Sequence, residues 1–309
     1  MVKRRTHIGY KKCADDRIVK LRILGRSNKN RKTIFKNKKR TAKHRCSKAL
    51  VLDIYHTSNN NQKFDSAFGL YDNFFEYKIG EIVTPDRFDT NLNNTQSNGI
   101  HYFLVEEPAY YWHLNNSDGY QKDWHDNGQL KHHGMMKDGF VDGLHELWYD
   151  NGQKQEICNY DLGKLTGIFE SWYPSGQLRE KSCYNNGKLI GRFEMWYENG
   201  RKKANHFYKN GNPSGLYESW YVNGQMSISQ TYDTYGDLHG SSRQWYLNGN
   251  LSERCAYNFG KLHGSYENFH ENGALNIRCS YVNGTMIGLF ESYSDDKKLV
   301  KSIIYGIEF

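Results

Sequence analysis

The 309-residue chain carries a formal net charge of +8, with 37% apolar and 15% aromatic residues, 24 Tyr, 29 Gly and only 4 Pro. So many aromatics exclude a disordered chain, and no run approaches the ~18 apolar residues of a membrane span. Low apolar content with many aromatics and glycines favours thin β structure over a thick helical core.

The charge is unevenly spread. Residues 1–48 hold 19 Lys/Arg against Asp15 and Asp16 alone, whereas residues 49–118 hold 3 basic and 10 acidic residues. Basic character is thus N-terminal, and the rest of the chain has no general pull on polyanions. The opening MVKRRTHIGYKK lacks the apolar core of a secretory signal. Six scattered Cys without a CxxC spacing read as buried thiols. An intracellular, non-secreted protein is expected.

In chain order, residues 1–17 read as a basic extension and 18–115 as a small α+β domain. Strands are predicted at 18–24 (IVKLRIL), 48–55 (KALVLDIY), 75–83 (FEYKIGEIV) and 99–105 (GIHYFLV), followed by EEPAYYW at 106–112. Between the first two lies a polar basic tract, 26–45. Its Lys29, Arg31, Lys32, Lys36, Lys38, Lys39, Arg40, Lys43 and Arg45 are candidate polyanion contacts, for nucleic acid or anionic lipid. A solvated loop is the simpler account of them.

From Gly119 onward the chain repeats with a period of 24, in eight copies starting at residues 119, 143, 167, 191, 215, 240, 264 and 288. One copy has an extra residue in its second turn, YDTYGD, the first is worn and the last is truncated. Trp124, Trp148, Trp172, Trp196, Trp220 and Trp245 form one column, continued by Phe269 and Tyr293. Tyr160, Tyr184, Tyr208, Tyr232, Tyr257 and Tyr281 form a second. An Asn-Gly turn ends the Trp strand in six copies, a pair that tolerates positive φ at both central positions and marks a short hairpin. Short links force antiparallel neighbours, so the array reads as a β-meander of sixteen strands, roughly 75 Å long at ~4.8 Å per strand. Trp, Tyr and Leu columns in register can stack into an apolar seam that no single hairpin could bury. The last copy reads as a terminal cap.

Gly-x-x-Glu-x-Trp-Tyr-x-Asn-Gly followed by Tyr-x-x-Gly resembles the variant form of the MORN repeat, over residues 119–309. The resemblance implies an elongated single-layer β array, and related arrays act as scaffolds, as accessory regions beside enzymes or as lipid-associated surfaces. Phe75–Val83 with its Tyr-x-x-Gly, and Gly99-Ile100-His101 before Phe103, are similar to an uncharacterised domain of giant amoebal-virus proteins, where it often precedes repeat arrays.

Candidate chemistry is sparse. The Glu column (Glu146, Glu170, Glu194, Glu218, Glu267, Glu291) repeats at ~10 Å, a surface pattern and not a convergent site. His125, His132 and His133 lack Cys or carboxylate partners at ligand spacing. Cys158, Cys255 and Cys279 share one repeat position and read as interior fillers. His101 with Glu106 and Glu107 is the best catalytic guess in the N-terminal domain. No catalytic residue, metal or cofactor is assigned, and a non-enzymatic protein-binding platform or scaffold is expected. Its specificity would lie where copies differ: His132-His133, YDTYGD and Arg201-Lys202-Lys203.

Overall fold

The computed structural model describes residues 7–28, 41–91, 97–112 and 118–306, in two compact units, Met1–Gln155 and Glu156–Phe309. Most of the basic tract, Lys29 to Arg40, lies outside the described residues.

The first unit opens with antiparallel strands His7–Lys12, Arg17–Ile23, Ala49–His56 and Asn59–Lys63, in that order. His7–Lys12 falls in what the sequence suggested was an extension. It is instead a paired strand, joined to the next by an Asp15-Asp16 turn with φ of 52° and 53° at its two central residues. Alternation buries Val19 and Leu21, which pack with Cys13, Val51, Ile54 and Tyr102. Gly9 lets the Tyr102 ring approach, since a Cβ there would lie 2.5 Å from ring carbon Cδ2. The stretch 75–83, expected as one strand, is two: Glu76–Lys78 pairs with Ser66–Phe68, and Ile82–Val83 pairs with Ala49–His56. Gly80, at φ +81°, breaks it. Helix Glu106–Tyr111 lies beside the first repeat strand, Gly119–Trp124. Lys122 pairs with Glu107 at 2.7 Å, and the Tyr111 and Trp124 rings are 6.0 Å apart.

From Gly119 the strands form one antiparallel meander of 19 segments in sequence order. The two turns of each copy differ from the expectation. At the Asn-Gly turn only the Gly has positive φ. Gly200 N–H donates to the Tyr197 carbonyl (2.9 Å), and Tyr197 N–H to that of Arg201 (2.8 Å). This is a type I turn closed by a left-handed glycine. Asn serves here through its side chain: Asn199 Oδ1 accepts from Arg201 N–H at 3.0 Å, and Nδ2 donates to the Val222 carbonyl of the next copy at 3.2 Å. Asn223, Asn248 and Asn272 repeat that reach.

The second turn is the one with positive φ at both central residues. Asn186, Asn210 and Asn283 hold φ of 49–53° before their glycines, but Leu162 (41°) and Phe259 (45°) occupy the same place. In YDTYGD the extra residue converts this turn to the first kind. Only Gly236 is then left-handed, and Asp233 Oδ1 accepts three backbone N–H groups at 2.8–3.0 Å.

A bulky left-handed residue stores strain that Asn relieves. Leu162→Asn is expected to raise stability by roughly 1 kcal/mol. Phe259→Asn should gain less, because its ring rests 5.0 Å from that of His239. Urea unfolding of the three proteins checks this, and an unchanged or lower midpoint for Leu162→Asn would contradict the turn assignment.

Candidate functional site

The two faces of the sheet carry different chemistry. Trp and Glu share one face. Within Glu156–Phe309, four of the five column glutamates meet a cation: Glu170 with Lys181 (2.7 Å), Glu194 with Lys202 (3.0 Å), Glu291 with Arg278 (2.6 Å), and Glu267 with Arg254, while Glu218 stands between the neutral Asn205 and Ser229. The tyrosines lie on the opposite face, and three of the column are set edge-on to an aromatic ring of the paired strand. Phe169–Tyr184, Phe193–Tyr208 and Tyr266–Tyr281 have centroids 6.0, 5.8 and 5.9 Å apart.

Full burial falls on neither aromatic column. The Trp and Tyr side chains stay half-buried, and the buried set of the second unit is Cys158, Cys255, Cys279, Ser171, Ser182, Ser219, Ser242, Ala204, Ala274 and His206. The expected apolar seam is therefore a row of mostly small residues, thiols and hydroxyls foremost, beneath aromatic edges. Burial pushes the Cys158 thiol up to about 12, so it stays protonated and is no nucleophile.

Glu156, Glu180 and Glu253 project among the tyrosines. Their donors are neutral groups: the Cys158 thiol at 3.6 Å, the Ser182 hydroxyl at 3.0 Å and the Tyr266 hydroxyl at 2.8 Å respectively. Among the described residues none of the three forms an ion pair. The divergent Arg201-Lys202-Lys203 is taken up within the sheet. Arg201 bonds the Val222 and Asn223 carbonyls, Lys202 pairs with Glu194, and Lys203 lies 5.6 Å from the Tyr197 ring centre.

In the first unit the His pair separates. His133 faces Glu146 at 3.7 Å, while His132 Nε2 meets His145 Nδ1 at 3.0 Å. His145 fits because Gly134 stands where every other copy carries a side chain (Cys in three of them); a Cβ there would lie 2.4 Å from the ring. No group of three or more His, Cys, Asp or Glu able to hold a metal exists among the described residues.

Two basic-tract candidates are described, and one is corrected. Arg45 is 1% exposed and cannot reach a polyanion. Its guanidinium donates to the carbonyls of Asp89, Asn91 and Asn98 at 3.2, 3.1 and 2.8 Å, holding that loop. Lys43 Nζ sits 4.8 Å from the Trp112 ring centre. His101 does not join Glu106 and Glu107 in a shared site. Glu107 pairs with Lys122, Glu106 hydrogen-bonds Tyr55, and His101 lines a cavity with Lys11 and Tyr71. That cavity also takes Phe75, Tyr77, Gly99 and Ile100, so the two stretches that carried the N-terminal resemblance converge on one place. Pairing of distant strands assembles it, which spacing along the chain does not reveal.

A small N-terminal domain followed by a meander of β-hairpin repeats is the class of protein that these features define. Residues 2–109 match a family of unknown function, DUF5758. The MORN repeat variant matches at 117–138, 141–162, 165–186 and 262–283. The chain is 38% identical over 80 residues to an uncharacterised protein of Acanthamoeba polyphaga mimivirus, covering 25% of this chain and 51% of that one. It thus spans about half the length of the curated relative it matches. The chain carries a DUF5758 domain and MORN-type repeats, and the hairpins at Gly191, Gly215 and Gly240 continue the same pairing between matched copies.

His206 gives the second unit a pH dependence. It occupies the small buried position between Tyr208 and Tyr217, and its Nε2 bonds no described residue. Burial lowers its pKa from 6.5 to about 4, so the fold disfavours the proton that the unfolded chain accepts. The penalty is absent above pH 6.5 and grows to roughly 3 kcal/mol as pH falls to 4. His206→Gln, the residue of the next copy (Gln230), is expected to flatten stability against pH over that window. Equal acid sensitivity of the two proteins in urea unfolding would count against it.

Proposed function

We propose that the repeat array is a protein-binding platform that receives an extended basic segment on its tyrosine face. The carrying observation is the asymmetry of compensation. Four of the five column carboxylates on the Trp face of the second unit, Glu218 being the exception, are neutralised by the sheet's own cations, whereas Glu156, Glu180 and Glu253 are held by neutral donors. Their charge is left for an incoming cation, and the tyrosine rings offer faces to guanidinium or ammonium groups. MORN-type repeats support binding of protein or membrane as the general role. No described helix is long and apolar enough to cross a membrane. In this reading the chain is a non-enzymatic scaffold acting inside a cell, and its similarity to an uncharacterised mimivirus protein supports a role in infection.

Fluorescence anisotropy with a labelled Arg/Lys-rich peptide tests this. The full chain is expected to bind with an affinity that falls as salt rises. Glu156→Gln, Glu180→Gln and Glu253→Gln together should weaken binding roughly tenfold. Glu170→Gln with Glu291→Gln, on the Trp face, should not. Equal losses in both sets, or no peptide binding, would sink the proposal.

A further inference from the structure

A second site stands apart from the array, in the N-terminal domain. Two adjoining cavities there share Lys11, Leu70, Tyr71 and His101. The smaller, about 50 Å³, adds Lys12 and Lys43 against the apolar walls of Phe103 and Trp112, and no carboxylate lines it. The larger, about 520 Å³, is lined also by the rings of Phe75 and Tyr77 and by polar residues that include Asp86, Arg87, Ser97 and Asn98.

The backbone fixes the cations in place. Lys11 and His101 lie on neighbouring segments locked by reciprocal Tyr10 and Phe103 N–H to carbonyl bonds, both 2.8 Å. Lys43 directly precedes His44–Cys46, which pairs with His101's strand, Ile100–Tyr102. Lys12 is already neutralised by Asp16 at 2.7 Å. Burial lowers the Lys43 pKa; Asp126 partly opposes this, and Lys11 lowers it further. Two ammonium groups that repel across a small cavity form a place where an anion is stabilised.

We propose that the paired cavities bind a phosphate monoester of nucleotide size, its phosphate among Lys11, Lys43 and His101 and its organic body in the larger compartment. Fifty cubic ångströms is several times the ~10–15 Å³ that admits one water and suits a single tetrahedral oxyanion. The larger volume lies within the ~300–1,000 Å³ of small-molecule sites. Asp86 and the side chains of Ser97 and Asn98 there are polar groups that suit hydroxyl and amino donors such as a ribose or a base presents. Tyr71, 75% exposed on the cavity rim, offers a ring to a flat body.

Isothermal titration of the full chain with inorganic phosphate, adenosine 5′-monophosphate and adenosine tests this. The monophosphate is expected to bind at least about tenfold tighter than either fragment. Lys11→Met and Lys43→Met should each weaken phosphate and monophosphate by about tenfold. Tyr71→Ala should weaken the monophosphate and leave phosphate unchanged. Circular dichroism verifies folding; should Lys43→Met unfold through its Trp112 contact, Lys11→Met and Tyr71→Ala still decide. No binding of phosphate or monophosphate, or binding indifferent to Lys11→Met, overturns the site. Phosphate bound as tightly as the monophosphate overturns the two-compartment assignment.

Discussion

A single-layer sheet has no second layer to bury it, and this constraint shapes the array. Hydrogen bonds along the ladder satisfy the backbone, but each face must cover itself. The solution here is a small residue opposite a ring. Cys279 stands across from Tyr266, and Ser182 across from Phe169, with the column tyrosine closing edge-on. Stitching between copies comes from side chains. Tyr173, Tyr197, Tyr221 and Tyr246 each donate their hydroxyl to the carbonyl of the next aromatic-column residue at 2.7–3.0 Å. A fixed period is what lets every such bond find its acceptor, which is why the one inserted residue sits in a turn and not in a strand.

Self-covering faces also decide what remains for a partner. The Trp face spends its charges internally, since cross-strand pairs lie within reach wherever a Glu and a cation stand opposite. The tyrosine face has carboxylates but takes its donors from thiol and hydroxyl groups. Those donors hold a carboxylate in place without cancelling its charge. Binding character thus follows from which residue types alternate along a strand, with no special loop required.

Much of this was legible in the sequence, and the gaps have physical causes. The Trp and Tyr columns gave the hairpins and their order directly, because periodicity reports pairing. Asn-Gly signalled a turn but not its type, since Asn serves equally through its side chain and through positive φ. Leu162 and Phe259 concealed the true left-handed turn because neither residue favours it. His7–Lys12 was hidden by its lysines, whose stems flank a strand that the turn at Asp15-Asp16 folds back. Arg45 looked like one of many surface charges, and only the three carbonyls it serves show otherwise. The N-terminal cavity draws on segments from Lys11 to His101 and had no local signature.

The first repeat copy shows how divergence can itself be a consequence of packing. It reads as worn: Gly134 stands where the other copies carry a side chain, and Lys122 replaces the column Glu. Each change has a partner in the same unit. Gly134 admits His145, Lys122 pairs with Glu107, and Trp124 meets Tyr111. Thr41 Oγ1 donates to the Gly128 carbonyl at 2.6 Å, tying the basic tract's end to this copy's turn. Gly119–Trp124 begins the meander and would otherwise offer an open edge, the usual starting point for unwanted strand addition. Helix Glu106–Tyr111 and its contacts cover it. The opposite end, the copy read as a terminal cap, has no such cover among the described residues: Leu299–Tyr305 leaves Val300 70% and Ile304 81% exposed. Departure from the repeat consensus in the first copy is therefore adaptation to a neighbouring domain, whereas in the last it leaves apolar side chains uncovered.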